Sequence, residues 1–147
     1  MSNSVYSFLD VQAAISGPGG AFNLGSGAAV SDEGITVQFN SEVDTMLIGA
    51  DGEGQHSLSA DRSGKITVRM LKTSPVNALL QAMLEFQRAS ASLHGQNTIV
   101  ISDTNRGDII TARQVAFSKS PDISYAKEAG MMEWEFNAIK INPVLAG

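Results

Sequence analysis

The sequence of 147 residues contains no cysteine, which excludes disulfide bonds, thiolate metal ligands and cysteine nucleophiles. Aromatic residues are also scarce, with six Phe, two Tyr and one Trp. So few aromatic side chains leave little material for a groove that stacks on sugars or flat ligands. The fold must therefore depend on ordinary side-chain packing.

Long apolar runs are missing as well. The first residues have neither the basic segment nor the apolar run of a secretory signal, and no stretch is long enough to span a membrane. We therefore expect a protein made in the cytoplasm, without a membrane-spanning segment. The hydrophobic fraction of 43% is ordinary for a folded protein, and the length predicts a single domain over residues 1–147.

Positive charge is absent from the first 61 positions, which carry eight carboxylates and hence a formal charge of −8. The rest of the chain has ten basic and seven acidic residues, so it carries +3 and the total is −5. This asymmetry suits head-to-tail association of identical copies, although carboxylates scattered over a solvated surface would give the same count. A protein that grips duplex DNA is disfavoured, because no basic cluster could neutralise phosphates.

Alternation of apolar and polar residues predicts most of the secondary structure as strands. The pattern covers residues 5–15, which stop at the turn 17–20, and then residues 35–39 and 65–70. Further strands are predicted at 98–101 and 109–117, joined by a turn at 103–108, and a last one at 131–141. Strands of this kind with short turns predict a mainly-β protein, an antiparallel sandwich or open barrel with one flanking helix.

The single helix is predicted over about residues 75–92. Ser74 is the expected N-cap, and Pro75 suits the first turn because its missing N–H costs nothing there. The run ends near Gly95, which can take a left-handed cap. The stripe expected to face the sheet consists of Val76, Leu79, Leu80, Met83, Leu84 and Gln87.

A long hairpin is predicted between the second and third of these strands, with its loop over about residues 41–56. It begins with a short apolar run at 45–49 and continues into a small, acidic segment at 50–55 that has the character of an exposed loop.

The last strand has an unusual second face. It combines the carboxylates of Glu133 and Glu135 with the apolar side chains of Ile139 and Ile141. Such a surface is awkward for a monomer in water but natural where part of it meets another subunit. These four residues are therefore predicted to form an inter-subunit strand face.

No residue set for catalysis is visible. His56 and His94 lie in predicted loops, far apart, with no acidic residue at a spacing that would complete a metal site. Residues 51–54 lack the ligand spacing of a calcium-binding EF-hand. Glu133 and Glu135 could be compared with the carboxylates of a glycosidase, but that chemistry also needs a cleft and sugar-stacking aromatics. We expect a protein that is not an enzyme and has no cofactor or metal.

Five segments of the sequence, at residues 6–20, 48–54, 71–77, 93–97 and 130–136, resemble the tail tube proteins of contractile-tailed, myovirus-type bacteriophages. The resemblance covers essentially the whole chain and preserves the order of the segments. Their motifs are packing and turn features, so they identify a family rather than a site.

The resemblance implies a tail-tube fold that assembles into hexameric rings, whose sheets join into one barrel around a lumen. Stacked rings would form the inner tube of the virion tail, a passive conduit for DNA ejection. The implied partners are further copies of the chain, the tail sheath, the tape-measure protein, and the baseplate and tail-terminator proteins. DNA would be present only in transit. Shared edge strands and continuing head-to-tail contacts agree with the pattern above.

On this reading the hairpin is the segment that reaches the adjacent ring, because it is long, glycine-bearing and charged. Its predicted contact residues are Asp44, Asp51, Gly52, Glu53 and Gly54.

Two alternatives stay open at the level of sequence. The chain could be the tube of a contractile secretion machine or a bacteriocin-like particle, which has the same ring-stacking logic. It could also be a monomeric β-sandwich that binds a ligand, although exposed aromatics beside a groove would then be expected.

Overall fold

The computed structural model describes residues 11–26, 30–127 and 130–146. These residues form nine strands and one helix, which lies between the sixth and seventh strands. In order the elements are β1 (Val11–Gly17), β2 (Gly20–Ser26), β3 (Val30–Phe39), β4 (Asp44–Ile48), β5 (Gly54–Leu58), β6 (Gly64–Leu71), α1 (Val76–Arg88), β7 (Asn97–Asp103), β8 (Asp108–Lys119) and β9 (Met131–Val144).

Seven of the strands form one antiparallel sheet in the order β2-β1-β7-β8-β9-β6-β3, whereas β4 and β5 pair only with each other. The predicted mainly-β architecture with one flanking helix is confirmed. Of the two predicted forms, the structure takes the open barrel.

A stagger between strands explains why the sheet curls. Backbone pairing aligns one residue from each of four neighbouring strands along a line across the sheet. These residues are Asn97 of β7, Val115 of β8, Ala138 of β9 and Gly64 of β6. From this line β1, β2 and β7 extend to one side, while β3 and β6 extend to the other. Strands staggered in this way tilt and coil into a barrel. Only residues 27–29 separate β2 from β3 in the chain, so the two edges of the sheet are tied together and the result is a half-barrel.

The core lies between the concave face of the sheet and α1. Trp134 and Phe136 of β9 are fully buried there, and Phe117 of β8 packs against both of their rings. The alternation within β9 is as expected, because Trp134, Phe136 and Ala138 all point into the core. The other buried apolar residues are Ala13, Ile15, Leu24, Ile66, Val68, Met70, Leu80, Met83, Leu84, Ile99, Ile101, Ala112, Val115 and Ile141.

The helix begins at Val76, and Pro75 rather than the predicted Ser74 stands at its N-cap position. Pro75 already has helical backbone angles, and the Ser74 hydroxyl accepts a hydrogen bond from the Val76 N–H at 3.3 Å. Asn77 holds this end to the sheet, since its side-chain oxygen accepts the indole N–H of Trp134 at 3.0 Å and its amide donates to the Leu71 carbonyl.

The helix is shorter than predicted and one residue of its stripe is misplaced. It ends at Arg88, because Ser90 folds its hydroxyl back to the Ser92 N–H and so competes with the helical bonds. Residues 91–95 form turns instead, with Gly95 at a φ of +79°. Leu79 is 48% exposed, because it lies at the margin of the stripe.

A buried pair of amides joins the helix to the sheet. Gln87 and Asn97 donate to each other's side-chain oxygens at 3.0 Å or less, and both side chains are almost completely buried. Gln87 also donates to the Pro18 carbonyl, and Asn97 to the Val115 carbonyl. Gly17 approaches so closely that a Cβ there would lie 2.1 Å from the Asn97 side-chain oxygen. Because the network is fully paired, it fixes one position of α1 rather than costing stability.

The predicted turns lie where the sequence placed them. Pro18 and Gly19 connect β1 to β2, with Gly19 at a φ of +98° that favours glycine. Residues 104–107 connect β7 to β8, and there the Asp103 carboxylate accepts the N–H groups of Asn105 and Arg106. The N-terminal half of the predicted strand 5–15 lies outside the described residues.

Bulges in β8 and β9 overturn the prediction for Ile141. Gln114 has a φ of +53°, and the pairing of β8 with β7 shifts by one residue beside it. In β9 both Ile139 and Lys140 point outward between the inward-facing Ala138 and Ile141. The strict alternation assumed from the sequence therefore fails at this point, and Ile141 lies fully buried in the core rather than on the second face.

Candidate assembly surfaces

The hairpin of β4 and β5 stands apart from the rest of the fold. Every residue of both strands is exposed. Its tip is a tight turn in which the Gly52 N–H donates to the Gly49 carbonyl, and the Gly49 N–H donates to the Glu53 carbonyl. Gly52 has a φ of +87°, a conformation that favours glycine. The hairpin predicted over residues 41–56 is thus two paired strands with a short turn, not a long loop.

Large apolar side chains cover both faces of this hairpin. Met46, Ile48 and Leu58 lie on one face, and Val43 and Leu47 lie on the other. Leu58 is 84% exposed, Val43 71% and Leu47 64%. An isolated two-stranded hairpin is only marginally stable in water, and a continuous apolar surface of this kind is typical of a binding site. The hairpin therefore has the character of a segment that is covered by another chain.

All five residues of the predicted ring contact lie on the hairpin. Asp44 is near its base, where its carboxylate is 2.8 Å from Nδ1 of His56. Asp51, Gly52, Glu53 and Gly54 form the tip, and the Asp51 carboxylate accepts the Glu53 N–H at 3.0 Å. His56 is part of β5, so the prediction that it lies in a loop is wrong. The structure brings Asp51, Gly52, Glu53 and Gly54 together at the protruding tip, whereas Asp44 lies at the opposite end of the hairpin.

The root of the hairpin is held by a compact polar network. The Asp61 carboxylate accepts hydrogen bonds from the Ser41 hydroxyl and from the Ser63 N–H, and Asn40 donates to the Ser63 hydroxyl. The hydrogen bond from Ser41, followed by those from Ser63, lowers the pKa of Asp61 from 3.8 to about 2. Because the network joins the incoming and outgoing strands, it fixes the direction in which the hairpin leaves the sheet.

The predicted inter-subunit strand face is only partly assembled. Glu133 lies 3.2 Å from Arg69, and Glu135 lies 3.7 Å from Lys65, so both carboxylates pair with cations of β6 in the same chain. Ile139 is 62% exposed, as expected. With Ile141 in the core, this face is a row of ion pairs on the convex side of the sheet that ends in one exposed isoleucine.

The described part of the chain shows no grouping of three or more His, Asp or Glu side chains that could hold a metal ion. Its helix is too short to cross a membrane. Among the described residues the features that stand out chemically are the exposed apolar hairpin and the row of ion pairs on the convex sheet face.

A family model described as the bacteriophage PhiTE tail tube protein matches residues 3–146 of the chain. The chain belongs to this tail tube family. This agrees with the resemblance to phage tail tube proteins that the sequence indicated. No curated protein sequence matches the chain.

Solved structures of contractile particles share the fold of this tail tube protein. A chain in the six-fold symmetrised baseplate of the anti-feeding prophage is 11% identical, with a TM-score of 0.63 and 99% of both chains covered. A chain of the tube-terminating cap of the same particle is 13% identical, with a TM-score of 0.58, covering 99% of this chain and 94% of that one. A chain in the sheath–tube complex of the extracellular contractile injection system PVC is 11% identical, with a TM-score of 0.52, covering 91% and 88%.

Sequence reasoning missed the apolar surface of the tail tube protein's hairpin. The run at 45–49 was visible, but such a run is as typical of a buried strand as of an exposed one. The signal that could have distinguished them is the charge around it, because Glu42, Asp44, Asp51 and Glu53 flank the run on both sides. Asp and Glu are almost never fully buried, so four carboxylates this close to the run indicate an exposed strand.

Proposed function

We propose that this tail tube protein is the repeating subunit of the inner tube of a contractile phage tail. Hexameric rings stack into the tube, which serves as a passive conduit for DNA during ejection into the host. The tube is part of the virion, and its subunits are made in the host cytoplasm. No step requires a covalent reaction by the protein.

The exposed apolar hairpin is the observation that supports this proposal. No other part of the described chain covers its two strands, and five large apolar side chains are exposed. A second copy provides the cover, with Asp44, Asp51, Gly52, Glu53 and Gly54 at the contact between rings. A segment that binds a different surface on the next copy makes a contact that can repeat along an axis.

The open sheet supports ring formation. Strands β2 and β3 are its two edges, and each has one side without a partner strand in the sheet. Unpaired strand edges associate readily with another chain, so neighbouring subunits in a ring would cover them. Glu133, Glu135 and Ile139 lie on the convex face of this sheet and are proposed to face a neighbouring subunit.

The proposed partners follow from the position of a tube within such a tail. They are the sheath around it, the tape-measure protein inside it, and the baseplate and terminator proteins at its ends. The exposed hairpin and the sheet edges support self-assembly of the tail tube protein. They do not identify the residues that contact these other proteins.

Negative-stain electron microscopy of the purified protein, with sedimentation velocity on the same sample, tests the proposal. We expect annular particles or hollow tubes together with fast-sedimenting species. A strict monomer at high concentration would contradict it and would favour a self-contained ligand-binding domain.

The fold likeness to the anti-feeding prophage and to PVC favours a second candidate, the tube of an injection particle without a genome. The two candidates share the subunit and its assembly, so microscopy does not distinguish them. The neighbouring genes do, since capsid and DNA-packaging genes beside this one indicate a phage, whereas their absence beside sheath and baseplate genes indicates an injection particle.

A further inference from the structure

Strands β8 and β9 form a surface patch of which the proposed function has used only Ile139. We name it the β8–β9 patch, and it consists of Ile109, Arg113, Ile139, Lys140 and Val144. Backbone pairing places Ile109 opposite Val144 and Arg113 opposite Lys140, so these residues form one continuous ribbon. All five side chains are exposed on the convex face of the sheet. The patch combines three apolar side chains with two cations.

Its two cations are placed unfavourably for an isolated subunit. Directly opposite residues of an antiparallel pair have Cβ atoms about 5 Å apart, and like charges in that arrangement destabilise the pairing. Within the described residues neither Arg113 nor Lys140 makes a hydrogen bond or ion pair, in contrast to Arg69 and Lys65 of β6, which pair with Glu133 and Glu135. An acidic group from outside the protomer would relieve this repulsion.

The hairpin has the complementary chemistry. Its strands present apolar side chains on both faces, and its tip carries the carboxylates of Asp51 and Glu53. Within the described residues the Glu53 carboxylate has no partner. An apolar ribbon with cations therefore matches an apolar hairpin with an acidic tip, both in the side chains that need cover and in the sign of the charge.

We propose that the β8–β9 patch is the receptor for the hairpin of a second copy of the tail tube protein. The apolar side chains of the hairpin pack on Ile109, Ile139 and Val144, and its acidic tip lies against Arg113 and Lys140. This inference rests on the proposed function, because it names the surface on which the assembling hairpin binds. The two surfaces differ, so the contact is heterologous and repeats from copy to copy.

The subunit has a second cationic site that can be compared with the β8–β9 patch as a receptor for the hairpin. Arg88 and Lys119 line a cleft of about 430 Å³ beside the end of the helix, and this cleft also lacks a carboxylate. Its apolar lining, Leu84 and Phe117, is however already buried within the protomer. The cleft therefore offers charge but little apolar surface to a hairpin that needs both.

Cross-linking tests the contact directly, since the chain has no cysteine of its own. Leu47→Cys protein is mixed with Ile139→Cys protein under assembly conditions and treated with a short bis-maleimide. We expect a covalent dimer on a denaturing gel. The control replaces Ile139→Cys by Ser120→Cys, which lies in the lining of the cleft, and we expect no dimer.

Charge reversal tests the contact without a reagent. The double variant Arg113→Glu/Lys140→Glu is expected to raise the critical concentration for tube formation at least about tenfold, and adding Glu53→Lys to restore part of the loss. The matched control, Arg88→Glu/Lys127→Glu, makes the same change in net charge at exposed residues outside the patch and is expected to assemble like the natural protein. Circular dichroism confirms that each variant is folded.

The outcomes separate this inference from the function on which it rests. Tubes that form normally, with cross-links through Ser120→Cys or through neither position, overturn the assignment of the patch while leaving the tube function intact. Equal effects of the two double variants overturn it as well. If the natural protein forms no tubes and the mixture of Leu47→Cys and Ile139→Cys proteins gives no cross-link, both proposals fail.

Discussion

At the scale of single residues, small polar networks decide how the larger elements are placed. Asp61 joins the two segments of the chain that enter and leave the hairpin, and the Gln87–Asn97 pair joins the helix to the sheet. In each case a short polar side chain bonds to groups from separate segments, so the geometry is determined by contacts far apart in sequence. Two predictions belong to this scale.

The first concerns the ionisation of Asp61. Its pKa is lowered to about 2, so its charged form is favoured in the folded protein and the hydrogen bonds contribute to stability above the ordinary pKa of 3.8. That contribution decreases as the pH falls from about 4 towards 2. A carboxyl titration by NMR is expected to give a midpoint near 2 in the natural protein and a clearly higher one in Ser41→Ala. An ordinary midpoint in the natural protein would show that the network does not form.

The second concerns Asn97. Replacing it by Ala removes the donor to the buried side-chain oxygen of Gln87 and to the Val115 carbonyl, which is expected to cost about 2–3 kcal/mol of unfolding free energy. Urea denaturation measures this cost. Asn137→Ala is the matched control, because Asn137 is exposed on β9 and is expected to change the stability by less than about 0.5 kcal/mol. Equal effects of the two substitutions would refute the role assigned to the amide pair.

At the scale of elements, the hairpin differs from every other strand pair. The other strands bury side chains against the core, whereas β4 and β5 bury none. Its apolar residues therefore contribute nothing to the stability of the isolated subunit, and their effect should be confined to assembly.

A prediction follows, because the apolar residues of the hairpin are expected to affect assembly but not the stability of the isolated subunit. In the double variant Leu47→Ser/Leu58→Ser, the thermal midpoint of the dilute subunit is expected to stay within measurement error, because both residues are exposed. Tube formation is expected to be lost. The control Ile66→Ala removes a fully buried side chain and is expected to lower the unfolding free energy by about 2–5 kcal/mol. A large loss of stability in the hairpin variant would mean that the hairpin packs on its own subunit.

The elements also show what the sequence could and could not predict. Strands with a regular alternation, such as β6 and the first half of β9, were predictable because burial follows the two-residue period. Ile141 was misplaced because a bulge changes the parity, and a bulge is not visible in the residues that flank it. The helix was predicted to continue past Arg88 because the serines that end it are also compatible with a helix. The local sequence pattern predicts where an element lies. Pairing with strands that are distant in sequence decides its exact bounds and which side chains it buries.

At the scale of the whole molecule, the subunit combines a half-barrel that has its own core with two surfaces whose apolar side chains are exposed. These surfaces are the hairpin and the β8–β9 patch. The family and the fold class followed from the sequence, because turn and packing motifs are distributed over the full chain. The candidate assembly surfaces did not follow as readily. Asp51 and Glu53 could be assigned to an exposed hairpin, but the pairing of Arg113 with Lys140 depends on the register between β8 and β9. Only the three-dimensional structure brings these cations together.

The central claim is that the hairpin of one subunit is covered by another copy of the same chain. Cryo-electron microscopy of the purified natural protein tests it most directly, since an assembled particle shows each hairpin together with its surroundings. The account predicts a hollow tube of stacked rings in which every hairpin is buried against a second subunit. A subunit that stays monomeric at high concentration, or a tube whose hairpins remain in solvent, would contradict it.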